Sequence, residues 1–456
     1  MYNIPKQIVL VGGGYASVWA YRSLIDELLL EMMTGQVEIK IICPDEYHVF
    51  HGWTAECLTG IIDDQNRLSR LTEIFKYAEL IKGKAVYVDP ESKMVDVALS
   101  SGAKRVVSYN QLLLATGSAD AASVTGVEKY AFRLKSEESY RATKRQIKFL
   151  LEKAAVSNRL KAKKTFRFIV AGCGFTGLEV ASNLAELIRV LKRQYAVLQH
   201  ADISLYLINS KKNLLPDLPS GFKRIRKYSE KILIKYGIKI LNQTKITCVT
   251  DHGAFLSNGT FIESDMVIST IGQVRTVMPG TENLDRDPEN KLFTNSFLQT
   301  INYPDIWVAG DSSNTRSSGY KNTCPSNALW AIKQGEHAGR NMARMILAQS
   351  LKPFAYGGLG QCASLGIGKG IGELYGMQFT GWLAWIMRWI FFQHFMPSKK
   401  TMWREMKDWL FFFCSASRKY FRLNDCERDG IFQPEHRFTK ELKSRSLLAS
   451  LTQVLN

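Results

Sequence analysis

The sequence predicts an α/β fold with two parallel-sheet domains, followed by a helical C-terminal region. Two glycine-rich turns, each between an apolar run and a helical stretch, indicate the two domains. A segment rich in tryptophan and phenylalanine after residue 381 indicates the third region. A chain of 456 residues is too long for one ordinary domain, and an apolar fraction of 46% is sufficient for a sizeable core.

The first glycine-rich turn follows the apolar run of residues 7–11. A helix is predicted from about Ser17 to Met33, and a second strand from Glu38 to Cys43. Glycines in such a turn let the backbone bend tightly and approach a pyrophosphate, which the positive end of the helix attracts. Ser17 replaces the third glycine and is small enough for close packing of helix on strand. The candidate cofactor-binding residues here are Gly12, Gly13, Gly14, Tyr15 and Ala16.

The same unit recurs 160 residues later, after the apolar run of residues 166–170. Two such turns in the correct strand–turn–helix context predict two Rossmann-like dinucleotide-binding domains, one for FAD and one for a nicotinamide coenzyme. Accidental occurrence of both turns is the less favoured alternative. The candidate residues of the second turn are Gly172, Gly174, Phe175, Thr176 and Gly177.

Three further segments resemble parts of flavoproteins with two dinucleotide sites. Residues 109–118 resemble the strand that returns the chain towards the flavin, residues 266–273 the exit from the second domain, and residues 305–313 the strand whose Gly-Asp meets the flavin's ribityl–pyrophosphate region. Asp311 would accept a hydrogen bond from a ribityl hydroxyl there. The candidate residues are Ala115, Thr116, Gly117, Gly272, Gly310 and Asp311.

The order of these motifs predicts a split first domain. Residues 1–120 and 276–350 form the FAD-binding domain, and residues 121–275 form the inserted NAD(P)H-binding domain. Residues 351–456 form a C-terminal membrane-associating region.

The chain from about residue 6 to about residue 415 resembles the type II NADH dehydrogenases, single-subunit NAD(P)H:quinone oxidoreductases. Four segments carry the resemblance: residues 47–60, 174–187, 324–342 and 353–370, the last followed by "GWLAWIMRW". The third resembles the family's flavin/quinone helix, with Ala328 as a cofactor-binding candidate. The redox-active CxxxxC or CxxC of disulfide reductases is absent, which excludes that branch.

The resemblance implies a two-step reaction in which hydride passes from the nicotinamide to FAD and two electrons then pass to a membrane quinone. Glu179 matches the family's glutamate at the nicotinamide–flavin contact, and Lys369 matches a lysine placed near the quinone. Both are candidate catalytic residues. The alternatives are a structural helix acid for Glu179 and an ordinary surface lysine for Lys369.

Several positions depart from the family pattern. Cys43 stands where an acid is expected after the second strand, and Asp45 or Glu46 is the candidate that reaches the FAD ribose instead. In the flavin/quinone helix, Leu329 and Lys333 stand where amide side chains are usual, which puts the choice of quinone in question.

The strand of residues 205–208 ends in Asn209, where an acid would bind the ribose hydroxyls of NADH. A neutral amide removes the repulsion of a 2′-phosphate, and Lys211 with its neighbour Lys212 adds positive charge. These residues favour NADPH used at least as well as NADH. The alternative is that the lysines face water, which would leave NADH and NADPH both weakly bound.

The formal net charge of +18 indicates an anionic partner. No nucleic-acid module is recognisable, so an anionic membrane surface is the favoured partner. The cysteine spacing fits no zinc site, so no metal is expected. The chain begins without a signal-peptide pattern and has no long apolar run, which predicts a peripheral protein on the cytoplasmic side of a membrane.

Residues 402–413 carry an amphipathic helical pattern. Met402, Trp403, Met406, Trp409, Leu410 and Phe413 form one predicted stripe, with Arg404, Glu405, Lys407 and Asp408 opposite. Such a helix suits a membrane interface, and burial against its own domain or in a homodimer is the alternative.

Two other functions stay open. A sulfide:quinone reductase would need two cysteines flanking the flavin, for which Cys173 and Cys324 are poorly placed. A non-catalytic, membrane-bound flavin-holding adaptor would explain the altered nucleotide and quinone positions.

Overall fold

The computed structural model describes residues 4–159, 164–320 and 322–414. The helices of this part are α1 (Tyr15–Met33), α2 (Thr54–Leu58), α3 (Leu71–Ile74), α4 (Val127–Tyr130), α5 (Glu137–Arg159), α6 (Phe175–Gln194), α7 (Lys223–Lys235), α8 (Ala328–Ile346), α9 (Trp382–His394) and α10 (Lys399–Cys414). The predicted first helix and the strands on either side of it lie within two residues of their observed bounds.

The strands of the first half are β1 (Lys6–Val11), β2 (Val37–Cys43), β3 (Tyr47–Val49), β4 (Leu68–Arg70), β5 (Glu79–Asp89), β6 (Met94–Leu99), β7 (Lys104–Ser108), β8 (Gln111–Leu114), β9 (Ala119–Asp120), β10 (Thr165–Ala171), β11 (Asp202–Ile208) and β12 (Lys239–Leu241). Those of the second half are β13 (Ile246–Thr250), β14 (Gly253–Leu256), β15 (Phe261–Glu263), β16 (Met266–Ser269), β17 (Gln273–Val274), β18 (Leu292–Phe293), β19 (Ile306–Val308), β20 (Ser313–Asn314), β21 (Gly360–Ser364), β22 (Gly370–Leu374) and β23 (Met377–Gly381).

The largest sheet has the strand order β19-β8-β1-β2-β5-β6-β7. The first five strands of this order pair in parallel, and the last two are added antiparallel. Strands β1, β2 and β8 are almost wholly buried and consist mainly of Val, Ile and Leu, as expected for a parallel sheet covered on both faces. Strand β19 pairs with β8 although it lies far along the chain. The sheet therefore combines segments that come before and after the strands of the second sheet in the sequence.

The second sheet is fully parallel, with the order β12-β11-β10-β16. A three-stranded antiparallel sheet of β13, β14 and β15 lies beside it in sequence. The short strands β9 and β17 pair antiparallel where the chain passes between the two parallel sheets. The predicted α/β fold is confirmed, while the domain boundaries given above remain a prediction.

Helices α1 and α8 pack closely against each other. A Cβ atom on Gly335 would lie 2.3 Å from the carbonyl oxygen of Ala16, and one on Gly339 would lie 2.3 Å from that of Ala20. Four small residues therefore let the two backbones approach directly. This contact places the middle of α8 beside the start of α1, next to the first glycine turn.

The C-terminal region combines the antiparallel sheet β21-β22-β23 with α9 and α10. Helix α9 packs on this sheet and buries Ala384, Trp385 and Arg388. Helix α10 buries Thr401, Glu405, Trp409 and Phe412, which are spaced for one helical face.

The predicted stripe on α10 is wrong in part. Glu405, assigned to the polar side, is fully buried, whereas Trp403, Leu410 and Phe413 from the predicted apolar stripe are exposed. The buried face is rotated because α10 packs on Trp53 and Trp385 through Trp409, with ring centroids 5.6 and 5.2 Å apart. Residues 415–456, the end of the predicted membrane-associating region, lie outside the described residues.

Among the described residues, no helix combines the length and the apolar character needed to cross a bilayer.

Candidate active site

The first glycine turn lies at the carboxyl end of β1, between the ends of β2 and β8. Gly12 has a φ of +117°, and a Cβ atom there would lie 2.4 Å from the carbonyl oxygen of Ala115. A Cβ atom on Gly13 would lie 2.8 Å from Sγ of Cys43. The thiol at the position of the usual acid therefore packs against Gly13, while the positive φ and the Ala115 backbone require glycine at position 12.

The N-terminus of α1 is open. A Cβ atom on Gly14, the residue that caps this helix, would meet no other atom within 4 Å. The helix has no side-chain cap and no acidic residue in its first turn. Its first backbone N–H groups are therefore free to receive an anionic group, and the helix dipole favours one.

Two neighbours of this turn define the cleft wall. Tyr15 is half-buried, and its hydroxyl accepts the backbone N–H of His51 at 2.9 Å. Ala16 lies 3.3 Å from the position of a Cβ atom on Gly310, whose φ is +78°. The Gly310 N–H donates to Oε1 of Gln334 at 2.6 Å, which fixes the turn after β19 against α8.

Asp311 comes directly after this turn, and its carboxylate faces the segment that follows β8. Its Oδ2 accepts hydrogen bonds from the Ser118 hydroxyl at 2.6 Å and from Nζ of Lys135 at 3.2 Å. Gly117 N–H donates to the Ser312 hydroxyl at 3.3 Å, and Thr116 is exposed beside it. The structure therefore brings together the predicted residues that follow β1, β8 and β19.

The second glycine turn repeats this geometry at the carboxyl end of β10. Gly172 has a φ of +109°, and a Cβ atom on Gly177 would lie 2.0 Å from its carbonyl oxygen. Gly174 caps α6, and a Cβ atom there would meet nothing within 4 Å. Helix α6 also has no side-chain cap and no acid in its first turn. Phe175 is half-buried and Thr176 is exposed at this second open helix end.

Asn209 follows β11, on the same edge of the second sheet. It is buried, and its amide nitrogen donates to the Asn213 carbonyl at 3.2 Å and to Oδ1 of Asn242 at 2.8 Å. Its Oδ1 accepts the backbone N–H of Lys211 at 3.1 Å. Both amide protons are therefore engaged by neighbouring segments, while the side chains of Lys211 and Lys212 are exposed.

The remaining predicted cofactor residues lie at the cleft edges. Gly272 has a φ of +70° and follows β16, while Ala328 is exposed at the start of α8. Asp45 is exposed beyond β2, with Oδ2 at 3.7 Å from Sγ of Cys43. In α8, Leu329 is buried and Lys333 pairs with Glu336 at 2.9 Å.

Glu179 belongs to a cluster of two carboxylates around one guanidinium. Its Oε1 lies 3.0 Å from Nη2 of Arg388 and accepts the backbone N–H of Ser364 at 2.8 Å. Arg388 also donates to both carboxylate oxygens of Glu56, at 2.7 and 3.2 Å. The side chains of Glu56, Arg388 and Glu179 are 0%, 1% and 20% exposed.

This environment changes the protonation of Glu179. Burial raises the pKa of its carboxyl from 4.5 to about 7, Arg388 acts against the rise, and Glu56 adds to it. Burial lowers the pKa of Arg388, but the two carboxylates outweigh this effect and the net direction is upwards. The guanidinium stays charged, and the raised pKa of Glu179 brings its carboxyl into the range where it can exchange a proton near neutral pH.

Lys369 forms an ion pair with Glu186, which lies on α6 like Glu179. Its Nζ lies 2.5 Å from Oε1 of Glu186, which also accepts the Tyr236 hydroxyl at 2.9 Å. The other carboxylate oxygen of Glu186 accepts the Ile367 N–H at 2.7 Å. The turn between β21 and β22 is thus bound to α6 through Glu179 at one end and Glu186 at the other.

A family model described as pyridine nucleotide-disulphide oxidoreductase matches residues 6–335, more than half of the chain. The chain belongs to this family.

The described part of this pyridine nucleotide-disulphide oxidoreductase contains only free cysteines. Cys173 and Cys324 are both buried, in different apolar clusters, and burial raises the pKa of both thiols, to about 12 and about 11. Neither is therefore a reactive thiolate. Among the described residues no group of three or more side chains is arranged for a metal ion.

The curated relatives include type II NADH:quinone oxidoreductases. One from Staphylococcus haemolyticus is 24% identical over 389 residues, with 84% of this chain and 93% of the relative covered. Another, from Staphylococcus epidermidis, is 25% identical over 382 residues, with 82% and 91% covered. These relatives confirm the resemblance that the motifs predicted.

Solved structures confirm the fold. NDH2 from Plasmodium falciparum in complex with NADH matches with a TM-score of 0.79 and 16% identity, covering 91% of this chain and 100% of that chain. The sulfide:quinone oxidoreductase from Aquifex aeolicus matches with a TM-score of 0.68 and 14% identity, covering 91% and 97%.

Sequence reasoning missed Arg388, Glu56 and Glu186 as partners of the predicted catalytic residues. A signal was present for Arg388 and for Glu186. Arg388 is a lone charge in an apolar segment, and a buried charge requires a partner. Glu179 and Glu186 are seven residues apart, which places both on one face of a helix.

Proposed function

We propose that the protein is an FAD-dependent NAD(P)H:quinone oxidoreductase that works at a membrane surface. The observation that carries this proposal is the pair of open helix N-termini, at Gly14 and Gly174, each at the carboxyl end of a parallel sheet. In such sheets ligands bind outside the carboxyl ends of the strands. One open end suits the pyrophosphate of FAD and the other that of the nicotinamide coenzyme.

The residues of the first cleft fit FAD. The α1 N-terminus would hold the pyrophosphate, and Asp311 would accept from a ribityl hydroxyl in place of Ser118 or Lys135. Tyr15, Ala16, Thr116 and Gly117 would line the cleft. Asp45 is the exposed acid nearest the end of β2 for the ribose hydroxyls. When bound, the flavin supplies the redox chemistry by accepting hydride from the nicotinamide and returning two electrons to a quinone.

The second cleft would bind the coenzyme through the α6 N-terminus and Gly272. Phe175 and Thr176 lie at the entrance. Lys211 is the proposed contact for a 2′-phosphate, since the Asn209 amide has both protons engaged. The finer choice between NADH and NADPH therefore depends on exposed lysines.

Glu179 would act on protons at the contact between coenzyme and flavin. With a pKa of about 7, its carboxyl can give or take a proton at neutral pH. Lys369 would place positive charge near a quinone oxygen that becomes negative. Its pairing with Glu186 fixes the ammonium group at the turn after β21.

The outward faces of α9 and α10 support membrane association. Four apolar residues of α9 are exposed, and four of α10 are exposed together with Lys407: Trp382, Leu383, Ile386 and Ile390, and Trp403, Leu410, Phe411 and Phe413. Tryptophan and aliphatic side chains beside a lysine suit the interface of an anionic bilayer. A homodimer contact through the same faces is the alternative.

An anaerobic titration tests the proposal. Purified protein reconstituted with FAD is mixed with NADH, NADPH or sulfide, and the loss of flavin absorbance is followed before a quinone analogue is added. We expect bleaching by a nicotinamide coenzyme and recovery of the absorbance with quinone. Bleaching by sulfide alone would indicate a sulfide:quinone reductase, and bleaching by none of the three would indicate a flavin-holding adaptor.

A further inference from the structure

We propose that Arg388 of α9 is a positioning residue that sets the charge of Glu179 and ties this carboxyl to the membrane-facing helix. The inference rests on the proposed role of Glu179 in hydride and proton transfer. It adds a residue from the C-terminal region, 209 positions along the chain, to the reaction at the nucleotide clefts.

Arg388 contacts five other residues. Its guanidinium reaches Glu56 of α2, Glu179 of α6 and the Gly52 carbonyl oxygen at 2.8 Å. It also lies over the rings of Trp53 and Phe392, with Cζ at 5.1 and 4.4 Å from the ring centroids. A buried cation held by this many partners has little freedom to leave Glu179.

One cation faces two carboxylates, so the cluster carries one excess negative charge if both acids are ionised. Burial makes that charge costly, and binding one proton removes it. Glu56 is fully buried and receives two hydrogen bonds from Arg388, whereas Glu179 receives one contact and is partly exposed. Glu179 is therefore the carboxyl that gains and loses the proton.

Three other groups lie near Glu179, and none of them takes over the effect of Arg388 on its protonation. Cys362 of β21 faces the cluster, but burial raises the pKa of its thiol to about 12, so it stays neutral. Ser364 contributes only its backbone N–H. Glu186, two turns along α6, is paired with Lys369.

The same helix carries the exposed apolar face. Arg388 and Trp385 point inwards from α9, while Ile386 and Ile390 are exposed. Movement of α9 away from α2 would leave both carboxylates without their cation. The position of the membrane-facing helix and the charge at the clefts are therefore linked.

The test is the pH profile of flavin reduction, measured by rapid anaerobic mixing of FAD-loaded protein with saturating reduced coenzyme, NADH or NADPH, whichever reduces the flavin. Arg388→Gln removes the cation and should move the ionisation of Glu179 to higher pH by about one unit or more. Glu56→Gln removes the competing carboxylate and should move it to lower pH. Opposite shifts from two substitutions in one cluster would not arise from loosened packing.

Two variants complete the set. Arg388→Lys keeps the positive charge and should largely restore the native profile. Arg67→Gln removes another buried arginine, which pairs with Glu137 and stacks on Tyr140 at 3.7 Å. It should lower stability without moving the midpoint of the profile.

The outcomes distinguish the proposed role of Glu179 from the inference about Arg388. If Glu179→Gln leaves the rate of flavin reduction and its pH profile unchanged, the proposed role of Glu179 is wrong. If Glu179→Gln abolishes the ionisation but Glu56→Gln and Arg388→Gln leave it in place, only the inference about Arg388 is overturned. Glu56→Gln keeps the test decisive if Arg388→Gln does not fold.

Discussion

At the scale of single residues, the glycines of the two clefts divide into two kinds. Gly12 and Gly177 are required by the fold, because a Cβ atom on either would meet backbone within 2.4 Å. Gly14 and Gly174 have space for a Cβ atom, since no protein atom lies within 4 Å. The space beside Gly14 and Gly174 at the two helix N-termini is therefore free for a ligand. Substitutions at these two positions test ligand binding separately from folding.

We expect Gly14→Val to lose FAD while keeping the native thermal unfolding of the FAD-free protein. A branched side chain would occupy the approach to the α1 N-terminus, at a cost to FAD affinity of about tenfold or more, or about 1.4 kcal/mol. Fluorescence titration with FAD measures this change. Gly174→Val is the matched control and should retain FAD but raise the KM for the reduced coenzyme. Loss of FAD from both variants would contradict the assignment of the clefts.

The coenzyme prediction also belongs to single residues. Asn209 has no free amide proton, so the double substitution Lys211→Ala and Lys212→Ala is the informative change. We expect kcat/KM for NADPH to fall about tenfold, because a charge-assisted phosphate contact contributes about 1.5–3 kcal/mol when fully formed, and that for NADH to change little. Steady-state kinetics with both coenzymes checks this. An equal loss for both would show that the lysines do not contact the 2′-phosphate.

At the scale of elements, α9 and α10 each have a buried face and an exposed face. Their buried faces carry Arg388 and Glu405, two ionisable residues within the aromatic packing of Trp53, Trp385 and Trp409. Deleting both helices would therefore expose the core and leave Glu56 unpaired. Point substitutions on the exposed faces are the better test of membrane binding.

Glu405 makes the docking of α10 depend on pH. Burial raises the pKa of its carboxyl from 4.5 to about 8, and the neutral Gln393 donates the hydrogen bond it accepts. Glu56 and Asp408 nearby raise its pKa further. The folded state therefore binds a proton that the unfolded state has lost between about pH 5 and pH 8, and stability falls as pH rises through that range.

We expect Glu405→Gln to be stabilising at pH 8 by about 1 kcal/mol or more, with the advantage shrinking towards pH 5. Thermal unfolding across this range measures it. Glu230→Gln, at an exposed position of α7, changes the formal charge equally and should give no such trend. A constant difference between Glu405→Gln and the native protein at all pH values would contradict the buried acid.

At the scale of the whole molecule, the net charge of +18 and the exposed apolar faces of α9 and α10 both support the proposed association with an anionic membrane. We expect Ile386→Glu with Ile390→Glu to weaken sedimentation with anionic liposomes at least tenfold, while bound FAD and coenzyme-driven reduction of a soluble acceptor remain. Leu30→Glu with Met33→Glu, two exposed apolar residues of α1, is the matched control and should bind liposomes nearly as the native protein does. Dissociation of a dimer without loss of liposome binding would favour the homodimer alternative.

The salt dependence of liposome binding is a second test of the same surface. Each Lys or Arg near an anionic leaflet contributes about 1 kcal/mol, and this attraction weakens as the Debye length shortens. Liposome binding of the native protein should therefore fall as NaCl is raised, and the remainder should be removed by the Ile386 and Ile390 substitutions.

The sequence by itself determined the parts of this protein that depend on local backbone geometry. The positive φ of Gly12 and Gly172, the alternation of apolar runs and helices, and the residues that follow each parallel strand are encoded within short segments. Parallel strands end at one edge of a sheet. The residues that follow β1, β8 and β19 therefore meet at that edge, regardless of the length of the segments that connect these strands. The positions of the two glycine turns at the sheet edges could be predicted for this reason.

Only the tertiary structure decided which charges are paired. Arg388 and Glu56 are 332 residues apart, and no periodic pattern links them. The buried side of α10 and the engaged amide of Asn209 likewise depend on neighbours from distant segments. A hydrophobic pattern in the sequence indicates which apolar residues can be buried. A charged residue can be buried only if a partner lies within hydrogen-bonding distance, and the packing of the whole molecule determines whether it does.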